Sequence, residues 1–200
     1  IKAIATDGHR LATSETSIEK KLMNNTASIV PRKAIQELIR LLDNKEDVSA
    51  EIGMNSICFK FNGLSFITKL IDGKFPDYNR VIPTNTEINI QLNSQALKPS
   101  LQRVSILANE KFKGIRLETT GNSLDLSSEN PEQEQANETI PLQEKVKKIV
   151  VGFNVSYLID AVSSCDGNAV CLSLNDENSS ALITSPEDKD TKYVVMPMRL

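Results

Sequence analysis

The sequence has no tryptophan, a single histidine among 200 residues and only 4% aromatic residues. Its core must therefore be built from Ile, Leu and Val. Cysteine is scarce as well: Cys58, Cys165 and Cys171 are odd in number and show no CxxC spacing. That pattern gives neither a zinc ribbon nor a disulfide framework, and it reads as buried, reduced thiols of a cytoplasmic protein. No stretch of about 18 consecutive apolar residues offers a membrane span. The start carries no basic-then-apolar signal segment. It also carries no Met and opens inside a strand-like "IKAIATD", which reads as a fragment whose upstream part is absent. Catalytic signatures are missing too: HExxH, GxSxG and the phosphate-binding GxxxxGK[ST] do not occur.

The net charge of −3 is unevenly spread. Residues 1–83 carry 12 basic and 10 acidic side chains, and residues 84–200 carry 11 and 16. Overall charge therefore speaks against a wholly basic nucleic-acid protein but leaves local faces open.

Three amphipathic helices stand out at intervals of about 60 residues. The first spans 31–44, "PRKAIQELIRLLDN", with Pro31 in the first turn and Ile35, Leu38, Ile39 and Leu42 on one face. The second covers roughly 95–108, with Leu97, Leu101, Val104 and Ala108 in line and Pro99 blurring its start. The third covers roughly 155–164, with Asn154 as its N-cap. A short strand precedes each: "ASIV" (27–30), "EINIQL" (87–92) and "KKIVVGF" (147–153). Period-two strands and hairpin turns follow each helix. The chain thus reads as α+β, an internal repeat of β-α-β-β-β units that need neighbours to bury their faces. The opening "IATDGHRLATSE" would be the last hairpin of an earlier unit, with Asp and Gly supplying the turn.

Three sets of side chains invite a functional reading. His9 sits in that turn beside Asp7 and Arg10, where it has either a packing role or a catalytic one. Arg32, Lys33, Gln36 and Arg40 share one arc of the first helix, and Lys98, Gln102, Arg103 and Ser105 one arc of the second. These are either ordinary solvated faces or a sparse basic surface for a phosphate backbone, without base readout. The terminal "VVMPM" is oddly apolar for a chain end: it is either an edge strand or the border of an apolar groove. The carboxylates Glu132 and Glu134 lie in a polar run and read as a solvated face.

Taken in order, "ATDGHRLA" (5–12), "FPDYNRVIP" (75–83) and "YVVMPMRL" (193–200) resemble the beta subunit of bacterial DNA polymerase III, the replicative sliding clamp. "NEKFKGIRL" (109–117), "ENPEQEQA" (129–136) and "GFNVSY" (152–157) are similar to the same family, so the likeness runs the whole chain. The resemblance implies a processivity-clamp fold, with three domains per subunit and two β-α-β-β-β units per domain. It implies a head-to-tail homodimeric ring, helices lining the hole and antiparallel sheets outside. Residues 1–83 would be part of a middle domain and 84–200 a complete third domain. It implies a non-enzymatic role on duplex DNA, with no cofactor, no metal and no membrane. The polymerase catalytic subunit, clamp loader and repair proteins would dock short peptides between the middle and third domains. The matching pocket positions are Thr6, Gly8, His9, Arg10, Leu11, Pro76, Arg80, Val81, Asn154, Tyr157, Val194, Val195, Met196, Pro197, Met198 and Arg199, with Phe112 and Ser180 placed by the same likeness. Arg32, Lys33, Arg40, Lys98 and Arg103 would face the DNA. The competing reading is a metal-dependent hydrolase using His9, Asp7 and nearby carboxylates.

Overall fold

The computed structural model describes residues 1–18, 26–42 and 47–199. They fall into two compact units, 1–19 with 78–200, and 20–77. Along the chain, the hairpin of β1 (Lys2–Thr6) and β2 (Arg10–Glu15) comes first. Helix α1 (Arg32–Leu41) is followed by β3 (Ser49–Ile52), β4 (Ser56–Phe61) and β5 (Leu64–Lys69). Strand β6 (Ile88–Asn93) leads into α2 (Ser94–Ser105), β7 (Gly114–Thr119), β8 (Ser123–Glu129) and β9 (Gln135–Pro141). Strand β10 (Ile149–Asn154) leads into α3 (Val155–Ser164), β11 (Ala169–Leu174), β12 (Ala181–Thr184) and β13 (Lys192–Val195). The last two series are the expected repeat.

In the larger unit the two repeats exchange their first strands. β6 pairs with β11 of the second repeat, and β10 pairs with β7 of the first. This gives a six-stranded sheet, β1-β2-β13-β12-β11-β6, and a four-stranded sheet, β10-β7-β8-β9. Helices α2 and α3 share one core beneath both sheets, with Leu97, Leu101, Val104, Leu158 and Val162 packed among Ile115, Leu117, Phe153, Leu172 and Ile183. Burying each of these larger side chains stabilises the unit by roughly 1.5–3 kcal/mol. Both helices start on an asparagine cap. Asn93 Oδ1 accepts from Gln95 N at 2.8 Å, and Asn154 Oδ1 accepts from Ser156 N at 3.0 Å. The cap satisfies a backbone donor that the first turn leaves unpaired. Helix α3 has the bounds read from the sequence, whereas α2 starts one residue earlier and ends at Ser105.

The smaller unit departs further from expectation. Pro31 has an extended ψ of 137° and precedes α1, which ends at Leu41. Asp43 and Asn44, expected in this helix, lie outside the described residues. Its buried face is Ala34 and Leu38, one turn apart, and Ile39 is 67% exposed. The stretch 27–30 contributes only the bridge Ile29–Ile71, with Ile71 N donating to Ile29 O at 2.8 Å. The three-stranded sheet β3-β4-β5 follows the predicted hairpins. Its β4–β5 turn puts Asn62 and Gly63 at φ 45° and 73°, the left-handed pair that a tight two-residue hairpin requires.

The tail is also corrected. β13 is not an edge strand, because it is paired on both sides, with β12 and with β2. The three thiols are free but half-buried rather than buried. Burial, with Asp166 and Asp188 nearby, pushes the Cys165 thiol up to about 11.

Candidate functional site at the opening turn and the tail

The turn between β1 and β2 is closed by its own side chains. Gly8 takes φ +87°, a conformation that a β-carbon disfavours. Asp7 Oδ1 accepts from His9 N at 3.0 Å and from Arg10 N at 3.1 Å, and Thr6 Oγ1 donates to Arg10 O at 2.7 Å. Partial burial pulls the Asp7 carboxyl up, but these amide bonds and the Arg10 guanidinium outweigh it, so its pKa lies below the ordinary carboxylate value.

From this turn two side chains reach α3. The His9 imidazole stacks on Tyr157, with centroids 6.5 Å apart and rings 23° from parallel. The Arg10 guanidinium lies 4.4 Å from the centre of the same ring. Its Nη1 donates to Asp160 Oδ2 at 2.5 Å and its Nε to Asp7 Oδ2 at 3.0 Å. The bond to Asp160, ahead of the one to Asp7, raises the Arg10 pKa. A cation over an exposed aromatic face contributes about 0.5–1 kcal/mol. Its greater effect is to fix the ring that His9 stacks on.

The tail completes the wall. Beyond β13, Met196 N donates to His9 O at 3.0 Å and Met198 N to Gly152 O of β10 at 2.9 Å. Pro197, which has no N–H, occupies the position between these two donors. The tail thus bridges both sheets of the larger unit. Asn154, besides capping α3, donates from Nδ2 to Phe112 O at 3.2 Å and ties down the loop that carries Phe112. Met196, Pro197 and Met198 are half-buried, and His9, Phe112 and Arg199 are exposed.

Beside this wall, Thr6, Leu11, Val194 and Leu182 lie directly opposite one another across β1, β2, β13 and β12. Val195 belongs to the helix-side core, so strand alternation turns Val194 to the other face. Leu11 and Val194 are buried and act as a floor rather than as open surface, whereas Val195 is sealed in the core on the helix side. Ser180 is half-buried just before β12. Arg80 and the half-buried Val81 follow Tyr78, whose ring lies 5.3 Å from Lys2 Nζ on the hairpin. Pro76 is exposed and belongs to the smaller unit.

Residues 79–199 match the family described as "DNA polymerase III beta subunit, C-terminal domain", and residues 1–77 match the central domain of the same subunit. The chain belongs to the DNA polymerase III beta subunit family. It is 41% identical over its whole length to the beta sliding clamp of Haemophilus influenzae and 43% identical to that of Pseudomonas putida. It spans 55% of each of these curated relatives. Among solved structures, the sliding clamp of Pseudomonas aeruginosa superposes on the whole chain with a TM-score of 0.95 at 40% identity, again over 55% of that chain. The fold is that of a DNA sliding clamp.

The helical cations expected to face DNA in this clamp fold differ in how free they are. Arg32 and Lys33 are exposed on α1. Arg40 Nη1 donates to Glu37 Oε1 at 2.9 Å within the same helix. Lys98 is half-buried on α2. Arg103 grips Glu138 of β9 with two bonds, Nε to Oε1 at 2.6 Å and Nη2 to Oε2 at 2.7 Å. It also reaches Ser100 Oγ at 3.1 Å. Its guanidinium is therefore already occupied in tying α2 to the sheet.

Nothing in the geometry favours the hydrolase. Asp7 is held by the turn and by Arg10, and among the described residues no group of three His, Cys, Asp or Glu is gathered for a metal. Sequence reasoning missed Asp160 and Leu182. Asp160 follows Tyr157 by three residues, a spacing that places both on one helix face. Leu182 follows Ser180 by two, the strand period.

Proposed function

We propose that this chain is the later part of a sliding-clamp subunit that encircles duplex DNA, makes the replicative polymerase processive and docks partner peptides. The role is non-catalytic and uses no cofactor. Residues 1–83 are part of the middle domain and 84–200 the third domain, and the full-length subunit forms a homodimeric ring in the bacterial cytoplasm. The family match over both domains supports this reading. The observation that carries the docking site is the wall in which His9, Tyr157 and the Met196–Arg199 tail are locked together.

The polymerase catalytic subunit, clamp loader and repair proteins would each insert a short peptide here, a Gln followed by spaced Leu and Phe. Polar ends meet His9, Arg10, Asn154, Tyr157 and Arg199, and apolar anchors meet Met196, Met198 and Val81 above the Leu11–Val194 floor, with Thr6, Gly8, Arg80, Phe112, Ser180 and Pro197 completing the surround. Methionines repack around different anchors, which suits a site shared by several partners. Two buried anchors contribute about 1.5–3 kcal/mol each, and ordering the peptide offsets part of that. Micromolar affinity, about −8 kcal/mol, is expected. Calorimetric titration tests this: Met196→Ala should weaken the peptide by roughly 1 kcal/mol or more. Equal affinity for wild type and variant would overturn the site.

A ring holds DNA by closure, so a lining of few free cations suffices and leaves sliding unhindered. Arg32, Lys33 and Lys98 are the freer contacts, and Arg40 and Arg103 are shared with Glu37 and Glu138. In the full-length ring, neutralising Lys33 should lower the salt dependence of DNA binding by about one unit of slope for each lost phosphate contact.

A further inference from the structure

The larger unit carries a second concavity beside the proposed docking wall, with a volume of about 620 Å³. Ligand sites commonly span ~300–1,000 Å³. Its floor is the face of β7, β8 and β9 turned away from the helices. Arg116, Ser127 and Asn137 lie directly opposite one another there, forming a single polar row across three strands. Its rim includes Phe112, 57% exposed, together with Met198 and Arg199. These three rim residues also belong to the docking wall. The Met198 N–Gly152 O and Asn154 Nδ2–Phe112 O bonds hold the shared rim in place.

We propose that this concavity is an extension of the peptide site. It takes the residues that flank a partner's apolar anchors and favours a flanking Asp or Glu. The inference rests on the peptide-docking reading. Two observations choose a polypeptide as the occupant. The rim is continuous with the docking wall, so a peptide seated there reaches the concavity with its next residues. The charges are also complementary to a carboxylate. Among the described residues of the lining, Arg116 and Arg199 stand against a single carboxylate, Glu129. Arg116 Nη2 lies 3.0 Å from Glu118 Oε2, but Lys148 Nζ holds the other oxygen of Glu118 at 3.0 Å, so that trio is net positive. The Ser127 hydroxyl and Asn137 amide offer hydrogen bonds suited to a peptide backbone.

The test uses the 200-residue chain and three synthetic peptides. One carries only the Gln and the spaced Leu and Phe. The other two add four residues including two Asp, one at the amino end and one at the carboxyl end. One acidic extension should bind wild type about fivefold to tenfold tighter than the short peptide. Arg116→Gln should remove that gain and leave the short peptide's affinity unchanged. Arg116 is exposed, so the variant should fold, and Asn137→Ala provides a second, smaller loss. Two results would overturn the extension: no gain from either acidic peptide, or a gain that survives Arg116→Gln. Failure of the short peptide to bind at all would instead refute the docking reading, and this proposal with it.

Discussion

The same β-α-β-β-β pattern has two different fates in this chain. In residues 84–200 two copies exchange their first strands, and α2 lies against α3 with Val104 and Leu101 essentially sealed from water. The described part of the smaller unit holds a single copy. Its helix buries Ala34 and Leu38 but leaves Ile39 open, and its sheet leaves Ile67 66% exposed. Both segments carry similar apolar patterning, so the difference is not one of sequence quality. One such unit supplies half a core, and its second apolar face is covered only when another unit packs on it.

Truncating the same kind of side chain in both units separates the sealed core from the open one. Leu101→Ala should destabilise the larger unit by about 2–5 kcal/mol, because a cavity opens in a sealed core. Ile39→Ala should change stability by about 0.5 kcal/mol or less, as exposed sites do. Urea unfolding followed by far-UV circular dichroism measures both, and comparable losses would refute the contrast. Hydrogen exchange sharpens it further. Amides of β3, β4 and β5 should exchange about tenfold or more faster than those of β7, β8 and β11, because few buried contacts oppose local opening. Equal protection would mean that the exposed faces carry no energetic cost.

The smallest effect concerns acid. The folded Asp7 pKa lies below its ordinary value, so its contribution is fully present above the unfolded pKa of about 3.9 and is lost as pH falls through the lower folded value. The His9 and Arg10 amide resonances should therefore titrate below the usual carboxylate range. Asp7→Asn should abolish that titration, and an Asp7 that titrated at or above its ordinary value would contradict the turn geometry.

What was legible in the sequence was local. Asn154 as cap placed α3 at roughly 155–164, and the structure has it at Val155–Ser164. The Asn62–Gly63 turn is local in the same sense, because Asn-Gly favours the left-handed pair of a tight hairpin. Helix α1 was misread because Ile35, Ile39 and Leu38 make a wide apolar stripe, and only packing decides which edge of it is covered. The edge-strand reading of the tail failed because its second neighbour, β2, lies some 180 residues away in sequence, and periodicity carries no trace of that pairing. For the candidate site, family resemblance named the wall, but not the Arg10–Tyr157–Asp160 lock that rigidifies it. A cation over a ring on another element is set by tertiary arrangement alone. The same holds for Arg103, which reads as a free cation on a helical wheel and is occupied by Glu138 in the fold.

The central claim is that the opening turn, the start of α3 and the tail form one peptide-binding wall. The direct measurement is an amide chemical-shift map of the chain as the Gln–Leu–Phe peptide is added. Saturable shifts should cluster at Thr6–Leu11, Asn154–Tyr157 and Met196–Arg199, with β3–β5 unmoved. Shifts centred elsewhere, or none at peptide concentrations well above micromolar, would contradict it.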